Sequence, residues 1–315
     1  MTALFKPGAP IRVGTRASAL AVAQTSAIAA QLGSHELVTI TSEGDRSSAP
    51  LASMGGTGVF VSALRDALLA GTVDVIVHSF KDLPTAPADG IRLAAVPIRA
   101  DARDALATRD GVTLSRLPKG ARVATGSPRR RAQLLAVRAD LDVVGIRGNV
   151  DTRLGRLYDP DDDRRVDGLV LAAAGLERLG RLGDASELFD LTEWPTAPAQ
   201  GALALEIRAD AGAALVDRVG AVDHDLTRLA ATAERGVLVR LEAGCSAPIA
   251  AHATVGDGVL TLSATVYAPD GSSRLTIADT GGADSDRSAL DLADRVAQAL
   301  LEGGAAELAP LHGGR

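Results

Sequence analysis

The spacing of apolar positions changes several times along the chain, and each change predicts a new kind of element. Ile11-Arg12-Val13-Gly14 reads as a strand, followed by a Ser18-capped helix that runs to Gln31. Glu36 to Thr41 is a second strand. The Gly-rich stretch Met54-Gly55-Gly56-Thr57-Gly58 opens a helix over Val59 to Ala70. Val73 to Val77 is apolar except at Asp74, as in a strand buried on both faces, and Ile91 to Ile98 is another strand. Alternation of this kind predicts βαβ units and a largely parallel sheet.

A polar hinge over Arg99 to Asp104 precedes a second set of the same units. Its strands are Arg122 to Thr125, Val143 to Ile146 and Gly168 to Ala172. Pro195 to Gln200 is a Pro-rich crossover, after which Gly201 to Ile207 resumes a strand. From His224 the pattern becomes helical through Leu241, with Gly244 expected as its terminator. Three strand-like runs follow (Ala250 to Val255, Leu260 to Tyr267, Arg274 to Ala278), then an amphipathic helix from Ser288 to Leu301. The expected organisation is a first α/β lobe over 1–98 and 201–220, a second over 104–195, and a small C-terminal α+β domain over 224–315. Two lobes joined by two crossovers are expected to leave a cleft for a ligand.

Composition narrows the picture. The 315 residues are too many for one ordinary core. Only 2% are aromatic, so the cores are expected to rest on Ala, Val, Leu and Ile. The net charge of -6 argues against a general nucleic-acid or membrane-surface binder. A single cysteine, Cys245, excludes an intrachain disulfide. Met1 to Pro10 holds no apolar stretch suited to export, and no window reaches the ~18 apolar residues of a membrane span. The compartment expected is the cytoplasm.

Three strand-to-helix turns concentrate arginine. Ser127-Pro128-Arg129-Arg130-Arg131 places guanidinium groups in the first turn of a helix, where cations oppose the helix dipole. Such a cluster beside free N–H groups favours an anion; the alternative is a solvated basic patch. Gly14-Thr15-Arg16 and Arg147-Gly148-Asn149-Val150-Asp151-Thr152-Arg153 repeat the theme. A ligand with several carboxylates or phosphates is implied. Val77-His78-Ser79-Phe80-Lys81-Asp82-Leu83-Pro84 ends a buried strand in ionisable groups, so Asp82 is a candidate for stabilising a cation or moving a proton and Lys81 for binding an anion. The alternative there is a local Lys81–Asp82 surface pair. Cys245, between Gly244 and Pro248, has no adjacent His. The five His are scattered, and Asp159 to Asp163 lacks an EF-hand pattern, so no metal is expected. Gly55 to Gly58 does not match a P-loop.

In order along the chain, GTRAS, VHSFKDLP, SPRR, RGNVDTRL, LAAAGLERLG, AQGALALE and LEAGCSAPI resemble the porphobilinogen deaminase (hydroxymethylbilane synthase) family. The match runs from about Ile11 to Pro248. The resemblance implies two periplasmic-binding-protein-like α/β lobes with a double crossover, plus a small C-terminal α+β domain carrying the cysteine. It implies a soluble, monomeric transferase that deaminates porphobilinogen and joins four molecules head to tail, releasing hydroxymethylbilane. The chain grows on a dipyrromethane primer held by a thioether, for which Cys245 is the matching residue. Asp82 matches the aspartate that contacts pyrrole nitrogens and stabilises the cationic azafulvene left by loss of ammonia.

The resemblance also gives the arginines a reason, since every pyrrole carries an acetate and a propionate. It implies that Lys81, Asp82, Thr125, Ser127, Arg129 and Arg130 hold the primer. Arg16, Ser18, Phe60, Arg147, Arg153, Arg178 and Gln200 are then expected around the substrate. Ser53 and Thr57 stand where many members carry lysine, and Gly126 where serine is usual; Pro198-Ala199 also departs from the pattern. The rival readings are a non-catalytic two-lobe binder of an organic polyanion and an Arg-rich nucleic-acid binder; few aromatics are available for base stacking in the latter.

Overall fold

A computed structural model of the chain describes residues 8–41, 58–161, 163–243 and 247–311, with the backbone alone at 58–60. In chain order the elements begin with β1 (Ile11–Arg16), α1 (Ala19–Gln31), β2 (His35–Ile40), α2 (Gly58–Leu69), β3 (Val75–Ser79) and β4 (Ile91–Ala95). Next come β5 (Asp104–Thr108), β6 (Arg122–Ala124), α3 (Pro128–Val137), β7 (Asp142–Val144), α4 (Val150–Leu154), β8 (Gly168–Ala172), α5 (Ala173–Arg178) and β9 (Glu187–Leu188). β10 (Leu203–Arg208), α6 (Ala213–Gly220) and α7 (Asp225–Arg240) precede β11 (Ile249–Gly256), β12 (Val259–Tyr267) and β13 (Arg274–Gly282). The helices α8 (Asp286–Glu302) and α9 (Ala305–Leu308) close the series.

The chain divides into two compact units. The first comprises Met1–Arg99 and Ala202–Arg228, the second Ala100–Gly201 and Leu229–Arg315. In the first unit the sheet order is β2-β1-β3-β10-β4. β1 is parallel to β2 and β3, whereas β10 is antiparallel to both β3 and β4. Four of the five strands therefore run the same way, as in the largely parallel sheet expected, and β10 alone runs against them; the crossover supplies the reason. The returning chain meets the sheet at the C-terminal end of β3, where Leu203 pairs with Ser79 and the Phe80 N–H donates to the Ala202 carbonyl (3.0 Å). Entering at that end, β10 can only run backwards along β3.

The second unit repeats the arrangement in a sheet of order β7-β6-β8-β5-β9. Here the strand delivered by the first crossover, β5, pairs antiparallel with β8 and β9, starting with Asp104 opposite Ala172. The apolar pattern does not predict β5, because Asp104 reads as the last residue of a polar hinge. In the structure Asp104-Ala105-Leu106-Ala107-Thr108 is buried at every position. β3 is also shifted by two residues from the apolar run, since Asp74 leaves the strand to receive the Arg12 guanidinium and backbone N–H.

Both five-stranded sheets are covered on two faces. In the first unit Ile28 and Ala29 of α1 and Leu215 and Val219 of α6 pack on one face, with Leu64 and Leu68 of α2 on the other. That double burial is why β3 shows no polar alternation. In the second unit Leu154, Leu157 and Leu176 cover one face, and Leu134, Leu141, Phe189 and Trp194 the other. The antiparallel sheet β11-β12-β13 has its own core with α7 and α8, built from Leu, Val and Ala. Gly271, at the tip of the β12–β13 hairpin, has φ of 75° and lies so close to α3 that an added Cβ would sit 2.5 Å from the Ala136 nitrogen and 2.6 Å from the Ala132 carbonyl oxygen.

Candidate functional site

In the first unit two strand ends carry the candidate residues. β1 leads into a turn that Ser18 closes by accepting from the Ala21 N–H (3.3 Å), so its hydroxyl serves as the N-cap of α1. Thr25 of α1 donates to the buried Thr15 hydroxyl at 2.9 Å, tying helix to strand, and Arg16 follows half-buried. A side chain at Gly14 would meet Ile76 Cγ2 at 2.9 Å, so the close β1–β3 contact excludes one.

β3 ends in a single 3-10 turn over Phe80–Asp82. Phe80 and Leu83, buried at 6% exposure each, pin the turn at both sides. Between these anchors Lys81 is half-buried and Asp82 is exposed, so the carboxylate is presented from a rigid base. Ser79 donates to Gln24 Oε1 of α1 (3.1 Å). Behind the turn, His78 Nε2 lies 3.2 Å from Glu206 Oε2 of β10, and Glu206 accepts two bonds from Arg65 of α2 (2.6 and 3.0 Å). Burial pushes the Glu206 carboxyl up, but the close approach of His78 and the two bonds from Arg65 outweigh it and bring it down to about 2.

The second unit gathers its candidates at the start of α3. Ser127 caps the helix by accepting from the Arg130 N–H (3.4 Å), with Pro128 in the first turn; the Ser127 N–H donates to the buried Thr125 hydroxyl (3.2 Å). Arg129 and Arg130 are not a solvated patch: they are 3% and 6% exposed. Both turn onto Asp104, which is fully buried. Arg129 Nη1 lies 2.9 Å from Oδ2 and Arg130 Nη2 donates to Oδ1 at 2.6 Å. Trp194 Nε1 donates to Oδ2 (3.0 Å) and Gln200 Nε2 to Oδ1 (2.7 Å). Burial pushes the Asp104 carboxyl up, yet Arg129 and Arg130 together with these bonds hold it well below the usual carboxylate range.

One carboxylate against two guanidinium groups leaves an excess positive charge in the interior. The Nε atoms of both arginines are buried and lack a hydrogen-bond partner among the described residues. A buried charge without a counter-ion costs several kcal/mol (order of magnitude), so the cluster favours an incoming anion. A carboxylate-rich group such as dipyrromethane fits that donor set.

Gln200, expected beside the substrate, is buried with its amide committed inside the unit, donating to the Ala102 carbonyl (2.8 Å) as well as to Asp104. Arg178 donates to the Gly201 carbonyl at 2.7 Å, and burial lowers its pKa, partly offset by Glu177. Arg147 is exposed and Arg153 half-buried at the α4 start, where Arg153 Nε donates to the Gly148 carbonyl (2.8 Å). Cys245, Gly244, Ser53 and Thr57 lie outside the described residues, as does the Phe60 side chain. The chain flanking Cys245 is anchored: Leu241 is buried, and the Pro248 carbonyl accepts from the Tyr267 N–H (3.1 Å). Among the described residues no group of three or more His, Cys, Asp or Glu is placed to hold a metal, and no helix is long and apolar enough to cross a membrane.

Asp104, Glu206, Arg65 and Trp194 escaped the sequence reading. Glu206 closes the AQGALALE motif and Trp194 is the one tryptophan of the chain, which were the available signals.

Fold and site together define a double-crossover α/β protein with an anion-seeking arginine pair in one unit and a presented aspartate in the other. A sequence profile described as "Porphobilinogen deaminase, dipyromethane cofactor binding domain" matches residues 11–215, and the corresponding C-terminal domain profile matches 228–302. The chain belongs to the porphobilinogen deaminase family. It is 55% identical over 317 aligned positions to the porphobilinogen deaminase of Leifsonia xyli, with 96% of this chain and 95% of the relative covered. The Thermobifida fusca enzyme of the same name is 49% identical, covering 95% of each chain. That of Cutibacterium acnes is 54% identical over 83% of this chain and 84% of its own. The chain is thus a transferase of tetrapyrrole synthesis that uses a dipyrromethane cofactor, and nothing favours the non-catalytic alternative.

Proposed function

We propose that Asp82 and the Arg129–Arg130 pair carry the joining of four porphobilinogen molecules, with Cys245 as the point of primer attachment. The observation that carries this reading is the excess buried positive charge at Asp104, Arg129 and Arg130. Carboxylates of the primer neutralise it, with Ser127, Thr125 and Lys81 as further polar contacts. Bound dipyrromethane supplies the pyrrole carbon to which new units are joined.

Asp82 stands next to the substrate ring nitrogen and stabilises the positive charge that develops as ammonia leaves; its exposed position on a pinned turn supports that role. Arg16, Arg147 and Arg153 receive the acetate and propionate groups of incoming units, and Phe60 flanks them. Ser18 and Arg178 shape those contacts through the α1 cap and the crossover backbone. Gln200 acts from within, because its amide is fully engaged.

The enzyme is read as a cytoplasmic monomer without metal or nucleic acid, supported by its single cysteine, scattered His and net charge of -6. Its C-terminal domain is read as 224–315, supported by the separate core under β11-β12-β13.

The test is the intact mass of the purified chain beside Cys245→Ser. An excess matching two linked pyrroles, lost in the variant, is the expected result. Absence of any adduct on either chain, even after incubation with porphobilinogen, would overturn the assignment.

A further inference from the structure

The charged network around the arginine pair extends well beyond the helix that bears them. Asp104 receives four donors, two of them on each carboxylate oxygen: Arg130 and Gln200 on Oδ1, Arg129 and Trp194 on Oδ2. A carboxylate filled in this way has no freedom to rotate, so it directs each guanidinium, together with Gln133 Oε1 and the Pro195 carbonyl on Arg129 and the Val170 carbonyl on Arg130. The crossover that supplies Gln200 is itself over-determined. Ala199 holds φ of 60°, a strained value for a residue with a Cβ, and its N–H donates to Glu234 Oε2 of α7 (2.5 Å). Glu234 Oε1 accepts from the Ala253 N–H of β11 (2.7 Å), and the carboxylate is wholly buried. Gly201 closes the segment; a Cβ there would stand 2.6 Å from the Ala100 carbonyl oxygen.

We propose that Asp104 is a positioning residue for primer assembly, its buried carboxylate orienting Arg129 and Arg130 while Trp194 and the Glu234-pinned crossover hold it in place. This rests on the reading of the arginine pair as the primer's carboxylate-binding groups. Asp104 touches neither primer nor substrate; it acts by aiming the donors and by cancelling one of their two charges. The orientation is therefore present before any ligand arrives, and loosening it weakens capture of the carboxylates without altering the chemistry that follows.

The experiment uses full-length apo chains made without a porphobilinogen supply. Wild type, Trp194→Phe, Asp104→Asn and Arg129→Leu are each incubated with graded porphobilinogen. Intact mass then gives the rate and final extent of adduct gain. Trp194→Phe keeps an aromatic ring beside Phe189 (the Trp194 centroid lies 4.3 Å from it) and removes the N–H donated to Asp104 together with part of the indole. Its half-saturating porphobilinogen concentration should rise at least threefold, while the final adduct fraction reaches that of wild type. Asp104→Asn, where its circular dichroism is that of a folded chain, should rise further. A purely structural loss would lower the final fraction and leave the half-saturating concentration unchanged, and that pattern in Trp194→Phe overturns the proposal even where Asp104→Asn does not fold. Wild-type loading by Arg129→Leu would instead remove the reading on which the proposal stands.

Discussion

Glu206→Gln probes the anchor behind the Asp82 turn. The carboxyl of Glu206 lies at about 2 in the folded chain against an ordinary 4.5, because nearby His78 and the bonds from Arg65 outweigh the opposing effect of burial. That difference stabilises the charged, folded form by roughly 3 kcal/mol at neutral pH. The side chain is only 6% exposed, so solvent screening removes little of it. Glutamine keeps the volume but turns an NH2 group toward a cation and leaves Arg65 without its counter-ion. Wild type should therefore outlast the variant by roughly 5 °C in Tm at pH 7.

The pH dependence separates charge from packing. A group whose folded value is depressed contributes fully above its unfolded value and loses that contribution as pH falls toward the folded one. The gap between the two chains should be constant at neutral pH, begin to close near 4.5, and stand at about half near pH 3. Thermal unfolding of both full chains, followed by far-UV circular dichroism across this range, measures the gap directly. An equal gap at pH 7 and pH 3 would mean that packing alone is lost. No gap at pH 7 would remove the anchor altogether.

Two further substitutions test other parts of the site. Asp82→Asn removes an exposed charge from a pinned turn, so its Tm should stay within about 2 °C of wild type while turnover falls at least ~100-fold; wild-type turnover would take Asp82 out of the reaction. Gly271→Ala forces a Cβ against the α3 backbone at a positive φ. It should lower stability by roughly 3 kcal/mol in urea unfolding, and a midpoint equal to wild type would mean that the hairpin tip does not bear on α3.

What could be read from the sequence was local. The Asp82 turn, the α3 cap and the strand-to-helix arginines each occupy a few consecutive residues, and the structure finds them where strand or helix patterns end. The groups that determine how those residues behave are distant in sequence. Asp104 stands 26 positions from Arg130, and Glu206 stands 141 from Arg65. No periodicity links such pairs, and Asp104 beside Asp101 and Arg103 looks like part of a polar hinge. The antiparallel course of β5 and β10 was hidden for the same reason, since a strand's direction depends on where the crossover re-enters the sheet.

That direction also explains why a buried carboxylate lies behind the strand-end residues in each unit. A crossover that enters at the C-terminal end of a parallel strand lays its residues alongside that strand: β5 does so with its first residue, Asp104, and β10 with its fourth, Glu206, opposite Ile76. In the first unit β10 supplies Glu206, matched by the single arginine Arg65. In the second β5 supplies Asp104, faced by Arg129 and Arg130. The first pairing has one carboxylate for one guanidinium and supports its turn without seeking a further charge. The second is short of one negative charge in a buried setting, where an uncompensated ion is costly. Of two similar sheets, the second therefore favours an added anion, which supports the proposed seat for the primer's carboxylates, whereas the first supports its turn without one.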